Sequence, residues 1–250
     1  MKQQIWKQDY LIASYLVNLR GQAGLYAILN LIQDVGWMHA MHLQVKLPKN
    51  LGWIFTRQKL VMSEWPAWNT TVSIHTWLRK PENDAFLFRD YEIFSSGRKI
   101  GECTSSFTVM DLSTRKMAGQ DWSGYSDLWR PDGYLEHKPA KIPLAADVTD
   151  LTQFQVRNSD IDLNQHVNNT RYAQWVLDSV PIDNLRQGIE LHQYEVNFLS
   201  ETKTGDVVSL QRAKSEEQVG PSHLVQFQGV RVKDGKPAFT AQLLVTGTEV

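Results

Sequence analysis

One order of elements occurs twice in this chain, and that repeat restricts its fold more than any other feature. A strand-like run at 10–18 precedes a helix over 21–39 and four strand-like runs at 53–62, 71–78, 86–94 and 101–110. Later, a short strand at 154–157 precedes a helix starting near Val167, and four runs return at 193–199, 206–212, 223–232 and 238–247. Details correspond too: Trp68-Asn69-Thr70-Thr71-Val72-Ser73-Ile74 resembles Thr204-Gly205-Asp206-Val207-Val208-Ser209-Leu210, and the turn at Gly97-Arg98-Lys99 matches Asp234-Gly235-Lys236. In the first helix, Leu25, Ile28, Leu29 and Ile32 form one stripe while Ala27, Leu31 and Val35 lie on other sides. A helix this apolar all round needs a cover, such as a curved sheet. The expected fold is therefore α+β: two units, 1–126 and 151–250, each an antiparallel sheet wrapped around one helix. Between them, 127–150 loses periodicity and carries Pro131, Gly133, Pro139 and Pro143, the composition of a surface linker.

The second helix has an unusual approach. Asp162, Asn164 and His166 occupy every second position ahead of it. In an extended backbone they would project to one side. The helix then shows Ala173, Val176, Leu177 and Val180 at helical spacing, widened by Tyr172 and Trp175 and stopped by Pro181. Unpaired N–H groups at a helix start form a cradle for developing negative charge, which suits acyl transfer to water.

Composition narrows the alternatives. With 42% hydrophobic residues the 250-residue chain can bury a full core. A net charge of -1 gives no general attraction to nucleic acid, and the nine tryptophans lack interleaved basic residues. The single cysteine, Cys103, excludes an internal disulfide and fits a reducing cytoplasm. No signal peptide or membrane-length apolar run is visible. There is no Gly-x-Ser-x-Gly elbow, phosphate-binding glycine loop or His-Glu-x-x-His. His39 and His42 have no third ligand at a suitable spacing and read as ordinary helix-end histidines, so neither a metal nor a cofactor is expected.

Four segments carry a resemblance. They are Asn164-Gln165-His166-Val167-Asn168-Asn169-Thr170-Arg171-Tyr172 with Trp175; Asn30-Leu31-Ile32-Gln33-Asp34 with His39; Arg57-Gln58-Lys59-Leu60-Val61 leading to Trp65-Pro66-Ala67-Trp68; and Phe198-Leu199-Ser200-Glu201-Thr202 with Gly205-Asp206-Val207-Val208. Together they resemble the acyl-acyl-carrier-protein thioesterases, plastid and bacterial enzymes that end fatty-acid synthesis by releasing free fatty acid. The resemblance implies a tandem, or double, hotdog fold, with an acyl chain lodged along the first unit. Carried over by position, it also implies Asp162, Asn164, His166 and Glu201 as active-site residues and acyl carrier protein as partner. The chain departs from the plant members at Thr202, where they have a cysteine once considered a nucleophile. An acid-and-water mechanism needs no thiol there.

In that chemistry Glu201 is the base, its pKa raised if the cleft is partly dry, with Asp162 as the other candidate. His166 polarises the water or donates to the leaving side, Asn164 orients water or carbonyl, and Asp162 holds a neighbour in place. Each has a plainer explanation: a surface glutamate, a core histidine, a capping asparagine, and an acid facing the helix dipole. The expected activity is hydrolysis of fatty acyl-acyl-carrier-protein. The rivals are an acyl-CoA thioesterase, a non-catalytic acyl-binding or carrier-docking module and, more distantly, a dehydratase on the same fold. A monomer and a homodimer are both compatible with two units in one chain.

Overall fold

The computed structural model describes residues 4–45, 47–81, 85–119, 121–122, 125, 127–130 and 132–247. It divides into two compact units, Met1–Pro139 and Ala140–Val250, so the boundary falls inside the stretch expected to be a linker. Pro131 lies outside the described residues.

In the first unit, β1 (Trp6–Leu11) is followed by α1 (Leu25–Leu43), β2 (Leu51–Met62), β3 (Thr71–Arg79), β4 (Leu87–Ser95), β5 (Arg98–Asp111) and the short β6 (Trp129–Arg130). The antiparallel order is β1-β3-β4-β5-β2, with β6 running parallel to the end of β3. The first strand lies earlier than the sequence suggests, because 14–16 forms a 3-10 turn and Leu11, Tyr15 and Leu19 stay exposed. Gly24 caps α1, and Gln44 ends it in the left-handed conformation by donating its N–H to the Ala40 carbonyl. Leu25, Ile28, Leu29, Ile32, Val35 and Leu43 of this helix are buried, whereas Trp37 and Met41 are exposed, so its cover is one-sided. At Gly36 the helix comes so near β4 that a Cβ would stand 2.7 Å from the Tyr91 hydroxyl. His39 is also used structurally: it is buried, with Nδ1 2.7 Å from the Arg89 guanidinium.

The second unit repeats the plan. It contains β7 (Val148–Gln155), α2 (Asn169–Asp178), α3 (Ile182–Arg186), β8 (Glu190–Phe198), β9 (Val207–Ala213), the short β10 (Glu217–Val219), β11 (Ser222–Arg231) and β12 (Pro237–Thr246). Reading β7-β9-β11-β12-β8 reproduces the order of the first sheet, with β10 added beside β11. α2 buries Tyr172, Ala173, Trp175 and Val176, and the Trp175 ring stacks on Phe154 at 5.7 Å. Each such large apolar side chain contributes about 1.5–3 kcal/mol on burial. α2 is shorter than its apolar pattern, and Pro181 caps the next helix, α3, rather than ending α2.

The stretch read as a surface linker is fastened to its neighbours by side-chain hydrogen bonds. In the first unit, buried Arg79 and Asp90 form a two-pronged ion pair with both bonds at 2.8 Å. They also grip Leu135: its carbonyl accepts from Arg79 at 2.7 Å, and its N–H donates to Asp90 at 3.2 Å. In the second unit, the Ala140 N–H donates to Glu195, that of Ile142 to Asn197 and that of Ala145 to Gln228. Carbonyls of Ala140, Ile142 and Pro143 accept from Asn197, Thr240 and Gln226. Buried main-chain polar groups require such partners, which a polar sheet face provides.

Candidate active site

Two connections of the second unit meet at one place. The first runs from a 3-10 turn at Asn158–Asp160 into α2, and the second joins β8 to β9. In the first, Ile161 and Val167 pair as a β-bridge, and 162–166 between them is a tight loop, not an extended run. The Asp162 N–H donates to the His166 carbonyl at 2.9 Å, and Gln165 adopts the left-handed conformation, with φ 62°. The Asp162 carboxylate turns inward and accepts the N–H groups of Asn164 at 2.8 Å and His166 at 3.5 Å. This is the local side-chain-to-backbone bonding that favours aspartate in turns. The expectation that Asp162, Asn164 and His166 project together is therefore corrected. Asp162 folds the loop, while Asn164 is exposed and His166 only partly so.

The helix start is also less open than expected. Asn168 is its N-cap, accepting the Thr170 N–H at 3.0 Å and the Thr170 hydroxyl at 2.9 Å. An internal cap occupies one of the donors that an incoming anion would need.

In the second connection, the turn around left-handed Gly205 is closed by Asp206, whose carboxylate accepts the Lys203 N–H at 3.1 Å and pairs with the Lys233 ammonium. Burial pushes the Asp206 carboxyl up, but the bonds from Lys233 and Lys203 outweigh it and hold it below its ordinary value. Glu201 precedes this turn. Its carbonyl accepts a hydrogen bond from Arg231, and its carboxylate Oε2 lies 3.4 Å from His166 Nε2. Lys203 Nζ stands 3.9 Å from the same oxygen. The His166 and Glu201 side chains keep 33% and 29% exposure, so a substrate and a water can reach both. Of the four expected residues, the structure brings His166 and Glu201 into contact and ties Asp162 to the His166 loop through the backbone. Asn164 is beside them in the chain, and its N–H rather than its side chain makes the described bond.

Sequence reasoning gave no part to three residues that shape this place: Tyr172, Asp206 and Arg231. Tyr172 reads as one more apolar position on α2, although a tyrosine on a buried face carries a hydroxyl that needs a partner. That partner is the hydroxyl of Thr202, which is fully buried. Cys103 is buried elsewhere, and burial pushes its thiol well up, out of the nucleophilic range.

A model of the acyl-ACP thioesterase N-terminal domain matches residues 3–119, and one of the acyl-ACP thioesterase C-terminal domain matches 145–241. The chain is 29% identical over 244 residues to the chloroplastic oleoyl-acyl carrier protein thioesterase 1 of Arabidopsis thaliana, covering 84% of this chain and 64% of that protein. It is 24% identical over 252 residues to the chloroplastic dodecanoyl-acyl-carrier-protein hydrolase of Cinnamomum camphora, covering 90% and 64%. The chain thus spans slightly less than two thirds of these relatives. Two solved structures share the fold. An acyl-ACP thioesterase from Bacteroides thetaiotaomicron has TM-score 0.83 at 21% identity, covering 97% of this chain and 98% of that one. The 12:0-ACP thioesterase from Umbellularia californica has TM-score 0.83 at 18% identity, covering 99% and 96%. The repeated unit is a hotdog, and the chain, matched in both halves, belongs to the acyl-ACP thioesterase family.

Proposed function

We propose that this protein hydrolyses fatty acyl thioesters of acyl carrier protein, releasing free fatty acid and the carrier thiol. The observation that carries this reading is the 3.4 Å approach of His166 Nε2 to Glu201 Oε2, made by side chains from two separate loops and open to solvent. Glu201 accepts a proton from water as its oxygen attacks the thioester carbonyl carbon. The carbonyl oxygen then carries negative charge, and in this scheme the amide of Asn164, exposed two residues before His166 in the loop, donates to it. As the C–S bond breaks, His166 gives a proton to the sulfur and recovers one from Glu201. The products are a carboxylic acid and a thiol, with water supplying the oxygen and both protons. Thr202 is not the nucleophile in this scheme, since its hydroxyl is buried against Tyr172.

Asp162 is the positioning residue in this scheme and Glu201 the base, because the Asp162 carboxylate is already committed to two loop N–H groups. The test is an assay of free fatty acid and free thiol from matched acyl-carrier-protein and acyl-CoA thioesters. Release from the carrier-protein thioester at the higher kcat/KM is the expected result. Preference for acyl-CoA moves the substrate, and binding without release by either thioester ends the hydrolase reading.

A further inference from the structure

The Glu201 segment has more anchors than a surface connection needs, and one of them lies in the core. Tyr172 and Thr202 are 4% and 0% exposed, and their hydroxyls are hydrogen-bonded to each other. The Tyr172 ring is fixed by its packing, with centroids 4.9 Å from Phe239, 5.5 Å from Phe198 and 5.2 Å from Trp175. Burial pushes the Tyr172 phenol up to about 12, so it stays a neutral hydroxyl at any working pH.

The main chain between those loops is joined at the same residue. The Thr202 carbonyl accepts the Val167 N–H at 2.9 Å. Thr202 follows Glu201 and Val167 follows His166, so this bond sits one residue away from each member of the reacting pair. Without a fixed Thr202, the bond has a mobile acceptor. On the other side, Arg231 bonds to the Glu201 carbonyl while Asp234 holds the guanidinium at 2.9 Å and 3.2 Å.

We propose that the Tyr172–Thr202 hydroxyl pair is a positioning device: it fixes the Glu201 segment to α2 and thereby sets the distance between Glu201 and His166. Both residues are buried, so in this proposal they act through the loops rather than on substrate. The part of the inference that concerns turnover rests on the thioesterase reading, whereas the part that concerns the loop junction does not.

Tyr172→Phe and Thr202→Val each remove one hydroxyl while keeping the shape of the side chain. Each is expected to lower kcat about tenfold with KM changed by less than about twofold, since small displacements of reacting groups have large effects on rate. Thr202→Ser restores the hydroxyl and is expected to recover most of the turnover. The double variant should be no slower than the worse single one, because the two groups act as one unit. Independently of activity, hydrogen exchange at the Val167 amide is expected to accelerate about tenfold in Thr202→Val while the core amides of Val196 and Leu243 keep their protection. A Val167 amide that exchanges as in the parent overturns the proposal, and so does a loss of turnover that Thr202→Ser fails to recover. If the parent releases no fatty acid at all, the thioesterase reading fails, and the exchange measurement still decides the junction.

Discussion

Glu201 is held by its main chain, and its carboxylate meets His166 at 3.4 Å. Arg231 takes its carbonyl, the following residue is anchored in the core, and the carboxylate is left facing His166. Glu201→Gln is therefore expected to lower turnover by about 1,000-fold or more, and His166→Ala and Asn164→Ala by about 100- to 1,000-fold, with circular dichroism unchanged. Asp162 gives a sharper test. Asp162→Asn keeps the side-chain oxygen that accepts from Asn164 and His166, so it is expected to retain turnover within about tenfold. Inactivation by that change, with Glu201→Gln remaining active, would make Asp162 the base. As candidates, Asp162, Asn164 and His166 were legible in the sequence because polar residues alternate there ahead of an apolar helix, and Glu201 only through the family resemblance. Their orientations were not. Alternation at 162, 164 and 166 matches a strand, but the aspartate's own bonds to the following N–H groups bend the chain into a loop.

At the scale of elements, the connection from β8 to β9 depends on one carboxylate. Asp206 closes the Lys203–Asp206 turn and pairs with Lys233, and its pKa is held below the ordinary range. A group whose native pKa is depressed adds stability above its unfolded value of about 3.9 and loses it as pH falls through the native value. Asp206→Asn is thus expected to lower Tm at neutral pH and to flatten its decline below about pH 4, as followed by thermal melts across pH. The periodic strands were readable where alternation survives burial on one face, as over Thr71–Thr76 of β3. β1 was not, since Trp6–Leu11 mixes Lys7, Gln8 and Asp9 into an edge strand that alternates half-buried with exposed positions and buries no residue fully. The two-residue β6 is defined by its pairing with β3, which no local pattern announces.

For the molecule as a whole, the repeat seen in the sequence is the repeat seen in the sheets, β1-β3-β4-β5-β2 against β7-β9-β11-β12-β8. Where the two differ is the stretch after β5, because proline content speaks to local conformation and not to which distant side chains grip the chain. Arg79 and Asp90 form that grip in the first unit, and both are nearly inaccessible, at 2% and 0%. Arg79→Ala leaves an uncompensated buried carboxylate and is expected to destabilise by about 3–5 kcal/mol in urea unfolding, whereas a double change to well-packed apolar residues is expected to restore much of it.

The fastening of 140–145 reads peptide groups, since glutamate, glutamine, asparagine and threonine side chains bond to its N–H and C=O atoms. Peptide groups are the same for almost every amino acid, so this segment is free to drift in sequence, apart from the buried Ile142, while its receptors are not. Pro143 illustrates the tolerance: it has no N–H to give, and at that position only its carbonyl is engaged by Gln226. A saturation library should therefore show permissive columns at 141, 144 and 146 opposite intolerant ones at 195, 197 and 228.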